Sequence, residues 1–166
     1  MILYDLRWAG PHGIGRFARE IASRVNHIEL DMPGRPMAPL DPLHLSFALR
    51  RYAPELTFFS PGYNAPLWAR QRFVFTMHDL NHIDRPENSS SLKRLYYAAV
   101  LRRACWRASK VLTVSNYARR RIIDWSGVPA NQVVNVGNGV AAEFDRCVFE
   151  AGNAACRHRD FGAVCQ

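Results

Sequence analysis

Short apolar runs alternate with amphipathic stretches along this chain, and that alternation is its clearest physical signal. Ile2 to Leu6 predicts a first strand, followed by a glycine-bearing turn from Ala9 to Gly15. A helix follows over about Arg16 to Val25, where Phe17, Ile21, Ala22 and Val25 recur at helical spacing. His27 to Leu30 predicts a second strand. Residues 32–42 hold four of the ten prolines, which makes them a loop or an extended connection. A short helix is expected over Leu43 to Arg51, then a buried strand over Leu56 to Phe59 that runs into the turn-rich stretch Ser60 to Pro66. Phe73 to Met77 predicts a clearer strand, delivering His78 and Asp79 at its carboxyl end.

After a polar stretch, Arg85 to Ser91, the longest helix is expected over about Leu92 to Ala108. Val111 to Val114 is β-branched and apolar, Ser115 stands where an N-cap belongs, and the helix Asn116 to Ser126 stops at Gly127 with Pro129 just beyond. Val133 to Val136 is the last strand, ending in Gly137-Asn138-Gly139. Strands alternating with helices predict an α/β fold with a doubly wound, mostly parallel sheet covered on both faces. Ligands of such sheets bind beyond the carboxyl ends of the strands. That rule points to four loops: Ala9 to Gly15, Ser60 to Pro66, His78 to Arg85, and Ser115 to Tyr117.

At 166 residues the chain is one domain long, which excludes a complete two-domain enzyme within it. Asp5 and Arg7 interrupt the apolar run a signal peptide needs, and no 18 residues are continuously apolar, so the expected location is cytoplasmic. Three of the four cysteines, Cys147, Cys156 and Cys165, lie in the last 20 residues without a C-x-x-C pair, and they read as free thiols. The formal charge of +8 is localised. Lys93 to Lys110 together with Arg119 to Arg121 hold nine basic residues and no acid, leaving −1 for the rest of the chain. Such a block invites an anionic partner: nucleic acid, a phosphate-bearing substrate or an anionic membrane surface. On a straight helix Lys93, Arg94, Arg102, Arg103 and Arg107 scatter around the wheel, against a one-sided membrane face. Tyr96, Tyr97, Trp106 and Tyr117 interleave with these cations, but their helical spacing between Ala and Leu assigns them to the core.

Gly13-Ile14-Gly15-Arg16-Phe17-Ala18 fits G-x-G-x-x-[GA], a turn that lets backbone N–H groups at a helix N-terminus approach a diphosphate. A dinucleotide site wants that glycine against the strand and an acid about 20 residues on. Here Trp8, Pro11 and His12 intervene, although Glu29 or Asp31 has the right distance. His78 and Asp79 at a strand end can bind a sugar hydroxyl or move a proton. His82 and Asp84 nearby leave a metal site conceivable, but all four ligands would come from one loop, so no metal is expected. No G-x-S-x-G elbow, Cys–His pairing or D-x-D triplet is present, Glu29-x-Asp31 and Glu143-x-Asp145 being near misses. These residues alone leave open a nicotinamide-dependent oxidoreductase built on the Gly13 turn and a basic nucleic-acid module.

In order, DLRWAGPHGIGRFARE, FFSPGYNAPL, FVFTMHDLNHIDRPENSSS, RLYYAAVLRRACWRASKVLTVSNYARRRII and VVNVGNGVAAEF run from about residue 3 to 144. This ordered set resembles the N-terminal domain of the retaining glycosyltransferases of the GT-B fold, the group 1 or family 4 set that includes polysaccharide mannosyltransferases. The resemblance implies a Rossmann-like half, residues 1–144, on the acceptor side of a two-domain, metal-independent hexosyltransferase without a cofactor. Its partners would be a nucleotide-sugar donor and a glycan or lipid-linked acceptor; the charge of the basic block, not the resemblance, adds an anionic inner-membrane face, and nucleic acid is not expected. It places Gly13, Gly15 and Arg16 at the donor diphosphate, and His78 with Asp79 at the transferred sugar. Tyr63, Asn64, His82 and Ser115 then line the acceptor cleft. The family's second domain carries a Glu-x7-Glu motif, and no two glutamates here are eight positions apart. Residues 145–166 therefore read as a degenerate or poorly ordered stub of that domain, and the chain as inactive alone.

Overall fold

The computed structural model describes residues 1–36, 38–84 and 91–139. The segment read as a stub, 145–166, lies outside them, as do Val140, Cys147, Cys156 and Cys165. Six short strands are described: β1 (Ile2–Tyr4), β2 (His27–Glu29), β3 (Thr57–Ser60), β4 (Arg72–Thr76), β5 (Lys110–Thr113) and β6 (Val133–Asn135). They form one sheet in the order β2-β1-β3-β4-β5-β6, and every pairing is parallel. The helices are α1 (Gly13–Ala22), α2 (Asp41–Leu49), α3 (Asn81–Asp84), α4 (Ser91–Tyr96), α5 (Arg102–Arg107) and α6 (Asn116–Ser126). The expected doubly wound, Rossmann-like α/β sheet is the fold.

Because side chains alternate along a strand, register assigns the two faces. Leu3 lies beside Phe58 and Phe58 beside Phe73, while Phe75, Val111 and Val133 continue that face across β4, β5 and β6. Leu45 and Leu49 of α2, Tyr97 and Leu101, and Ile122 of α6 close over it as one core. On the opposite face, the Tyr4 hydroxyl donates to the Ala18 carbonyl of α1 at 2.8 Å. The chain thus winds one way from β1 to β2 and the other way from β3 onward. The strand order reverses between β1 and β3, where the open crevice of such a sheet lies.

That crevice is tied shut at its base by a buried polar network. Asp5, just after β1, takes Arg7 through two bonds, Nε to Oδ1 at 2.8 Å and Nη2 to Oδ2 at 2.7 Å. Arg7 Nη1 also reaches Asp41 Oδ1, at the start of α2, at 2.5 Å. Asn64, after β3, donates to Asp5 Oδ2 at 2.7 Å and accepts from the Trp8 indole at 2.5 Å and from the Ser60 hydroxyl. One guanidinium between two carboxylates joins two segments far apart in sequence, and the Asn64 amide joins a third through Asp5. Gly62 is obligatory beside them, since a Cβ there would stand 2.3 Å from the Trp8 indole.

Helix boundaries moved from expectation where local geometry overrode pattern. α1 begins at Gly13 rather than Arg16 because the His12 ring, not a Ser or Asp, caps it: Nδ1 accepts from Gly15 N at 3.0 Å. α6 is capped as expected, Ser115 Oγ accepting from Ala118 N at 3.0 Å, and ends at Gly127 with φ of 75°. The long helix is interrupted by a π-helical segment, Tyr97–Leu101, between α4 and α5. An i→i+5 turn takes up about one extra residue, a rotation of about 100° for everything after it. The straight-wheel scatter of cations therefore does not apply, and Arg94, Arg102, Arg103 and Arg107 are all exposed. Tyr97 is core and Tyr96 half-buried, but Trp106 and Tyr117, expected in the core, are exposed. No helix among the described residues is long and apolar enough to cross a membrane.

Replacing Arg7 by Met leaves the Asp5 and Asp41 carboxylates buried without their cation, and should cost about 3–5 kcal/mol in urea unfolding. Burial holds the Asp41 carboxyl above its ordinary 3.8 in spite of Arg7 and Asn64. The folded chain then keeps a proton that the unfolded chain has released, so this group's contribution to stability falls as pH rises through that window. Measured against Asp41→Asn, the parent should gain stability on acidification from neutrality toward 3.8.

Candidate functional site

A cleft of about 1010 Å³ opens along the carboxyl edge of the sheet, against α1. The first two turns of α1 form one wall through Gly13, Ile14, Arg16 and Phe17; the opposite wall is Val136 to Gly139, just past β6. His78 and Asp79, which follow β4, and Tyr63, which follows β3, complete it. Each residue arrives from a strand end or a helix start, which is why a parallel sheet gathers them from positions as distant as 13 and 139.

His78 is held from two sides. Its Nε2 lies 2.9 Å from the Pro61 carbonyl, an acceptor only, so Nε2 carries a proton. Its ring meets Phe17 edge-on at 5.0 Å. Burial lowers its pKa below the ordinary 6.5, against the opposing pull of the Pro61 carbonyl and Asp79. The imidazole is thus neutral near pH 7 and presents Nδ1 as a hydrogen-bond acceptor. Asp79 is fixed by Tyr63, whose hydroxyl donates to Oδ1 at 3.1 Å and accepts from the Asp79 N–H at 2.9 Å. The Asn81 N–H donates to the same oxygen at 3.0 Å. Burial, reinforced by the Asp79 charge, raises the Tyr63 phenol well above its ordinary 10, so it remains a donor.

The two glycines of the turn differ in kind. A Cβ at Gly15 would stand 1.9 Å from the Gly10 carbonyl oxygen, so packing alone demands glycine there. At Gly13 nothing lies within 4 Å of such a Cβ, so packing does not demand glycine; the space beside it opens on the cleft. The first-turn N–H groups of α1 precede its first i→i−4 bond, from Arg16 N to the His12 carbonyl at 2.9 Å, and the helix dipole adds partial positive charge there.

Of the residues predicted for the site, Gly13, Arg16, Tyr63, His78 and Asp79 line the cleft, and Gly15 supports its wall from behind. Asn64 does not face it: the side chain is fully buried in the Asp5–Arg7 network. Ser115 is engaged as the α6 cap, and the His82 ring packs edge-on against Tyr97 at 5.9 Å. His78, Asp79, His82 and Asp84 do not form a ligand set, because Asp84 is paired with Arg121. Among the described residues no three His, Cys, Asp or Glu side chains are grouped to hold a metal ion. Residues 5–12 separate β1 from the glycine turn, unlike the tight strand-to-helix turn of a dinucleotide site.

Sequence reasoning missed Phe17, Ile21 and Arg24 as cleft residues. Phe17 and Ile21 carry the periodicity of a core face, yet among the described residues that face lines the cleft. Arg24 is paired with Glu20 at 2.5 Å along the same wall.

Residues 4–144 match the family model described as Glycosyltransferase Family 4. No curated protein matches the chain.

With its folded pKa below 6.5, His78 supports the fold fully above that value and progressively less as pH falls below it. A ring-carbon NMR titration should find His78 neutral through the range where an exposed histidine protonates. His78→Gln, which keeps a donor for Pro61, should flatten the acid side of the stability profile between pH 6.5 and the depressed value.

Proposed function

The chain belongs to glycosyltransferase family 4, and on that premise we propose that its cleft is the acceptor-side half of a transfer site for a nucleotide-sugar donor. The observation that carries this is Gly13: a glycine without a packing reason, at the start of a helix, facing a cleft. A diphosphate laid across Gly13 and Ile14 meets their N–H groups and the dipole of α1, with the Arg16 cation on the same wall.

In the transfer, the bond between the anomeric carbon and the diphosphate oxygen breaks. The acceptor hydroxyl oxygen bonds to that carbon, and its proton leaves with the diphosphate. The N-terminus of α1 and Arg16 stabilise the charge that grows on the leaving group. His78 takes a hydroxyl of the transferred sugar at Nδ1, with the ring already oriented by Pro61 and Phe17. Asp79, clamped by Tyr63 and Asn81, is placed to accept from a second hydroxyl, and the Tyr63 side of the cleft receives the acceptor. Asn64, His82 and Ser115 act by holding the walls rather than by touching substrate. The finer reading is retaining, metal-independent transfer of a hexose, mannose included, to a growing glycan or lipid-linked acceptor in the cytoplasm. In it residues 1–144 form the acceptor-side domain, with a second domain completing the donor site.

A titration of the chain with uridine or guanosine diphosphate, followed by amide NMR shifts, tests the central claim. Shifts should concentrate at Gly13 to Phe17 and Val136 to Asn138, with affinity near the millimolar level, about −4 kcal/mol, because half of the site is contributed elsewhere. Gly13→Val should unfold at the parental urea midpoint yet weaken binding at least about tenfold, about 1.4 kcal/mol. Shifts scattered over the surface, or none on the α1 turn, would refute the placement.

A further inference from the structure

The long helix turns an apolar and cationic surface to solvent on the side of the sheet that the cleft does not use. From Ser91 to Arg107 it carries no acid. Leu95 is 62% exposed and Trp106 55%, although both are large apolar side chains on a helix that otherwise supplies core. The surface continues onto two neighbouring segments: Trp68, 39% exposed, meets Phe47 of α2, 51% exposed, edge-on at 5.6 Å. Between Trp68 and the helix runs a shallow groove of about 250 Å³, lined by Leu67, Ala99, Val100, Arg103 and Arg107. Arg107 donates to the Leu67 carbonyl, which fixes the loop against the helix. Leu67 and Trp68 precede β4 and Arg107 precedes β5, so this groove lies toward the amino edge of the sheet, away from the cleft at the carboxyl edge, and the surface runs from it along the helix to Leu95.

In the other basic cluster, Arg119 and Arg121 are engaged internally while Arg120 is exposed. Arg119 donates to the Val133 carbonyl at 2.8 Å and to the Ala130 carbonyl at 2.6 Å, and Arg121 is paired with Asp84. On the long helix Arg94, Arg102, Arg103 and Arg107 are exposed alongside Leu95 and Trp106, Arg107 while also holding the Leu67 carbonyl. Apolar side chains that enter the headgroup boundary, flanked by arginines that stay at its surface, are the composition of an interfacial binding face.

We infer that the surface formed by Phe47, Trp68, Leu95, Trp106 and the arginines of the long helix docks the protein onto an anionic lipid membrane. The charge complementarity selects an anionic over a neutral bilayer, and the exposed apolar side chains select a bilayer over a purely charged polymer. The inference does not depend on the transfer chemistry of the cleft.

Co-sedimentation of the full chain with phosphatidylglycerol-containing vesicles, against phosphatidylcholine alone, tests it at about 0.1 M salt, where only charges within about 10 Å of the surface act. The parent should prefer anionic vesicles by at least about tenfold, given about fivefold for each cation near such a surface. Arg102→Glu with Arg103→Glu should abolish that preference, and Phe47→Ser with Leu95→Ser should lower the partitioning several-fold. These side chains are exposed, so all variants should keep the parental urea midpoint. Arg120→Glu on α6 and Gly13→Val in the cleft should sediment as the parent does, which separates a failure here from a failure of the donor-site reading. Equal binding to both vesicles, binding to neither, or either double variant sedimenting like the parent overturns the inference. Binding to duplex DNA without binding to vesicles overturns it in favour of a nucleic-acid surface.

Discussion

A single guanidinium between two buried carboxylates organises the carboxyl edge of this sheet. Arg7 joins Asp5 to Asp41, and Asn64 reads the same Asp5 oxygen from the far side of the crevice. Taking these groups out of water is unfavourable in itself, and an apolar replacement of equal shape would be no less stable. What the network supplies is position. It sets Asn64, and with it the turn Pro61 to Tyr63; Pro61 then holds His78, and Tyr63 holds Asp79. The His78 and Asp79 side chains are thus aligned by a network almost wholly removed from solvent. Burial, with a smaller contribution from the Asp5 charge, outweighs Arg7 and Asn64 at Asp41, the group whose acidity is weakened.

The two ends of the sheet serve different purposes for the same physical reason. At the carboxyl edge, strand ends and helix starts converge, so polar side chains and unpaired helix N–H groups face a common space. Toward the amino edge, helices end and return to strands, and what is exposed is the outer surface of the helical layer. There the π-helical segment at Tyr97–Leu101 matters. It lets Tyr97 reach inward to Tyr63 and Trp125, at 6.2 Å from each ring, while the residues after it are rotated so that Arg102, Arg103 and Trp106 face outward. One irregular turn connects the floor of the cleft with the composition of the opposite surface.

The sequence by itself determined the parts that depend on neighbours within a few residues. The alternation of apolar runs and helical stretches specified the parallel α/β class, Ser115 and Gly127 marked both ends of α6, and His78 with Asp79 had to sit at a strand end because an apolar strand precedes them. The tertiary structure alone decided the parts that depend on which strand lies beside which. Phe17 and Ile21 have the periodicity of core residues, yet they line a cleft because the ends of β3, β4 and β6 bring Tyr63, His78 and Val136 to that flank of α1. Asn64 sits in a turn that local rules send to the surface, yet it is fully buried because β1 and β3 are adjacent and bring Asp5 and Trp8 to it. The start of α1 was moved three residues by the His12 ring, which caps it through the Gly15 N–H, and the outward phase of the arginines by a π turn that a straight wheel cannot contain. Local spacing carries hydrogen-bonding and packing preferences over a turn or two of chain; burial is a property of the assembled neighbours, and no single segment contains it.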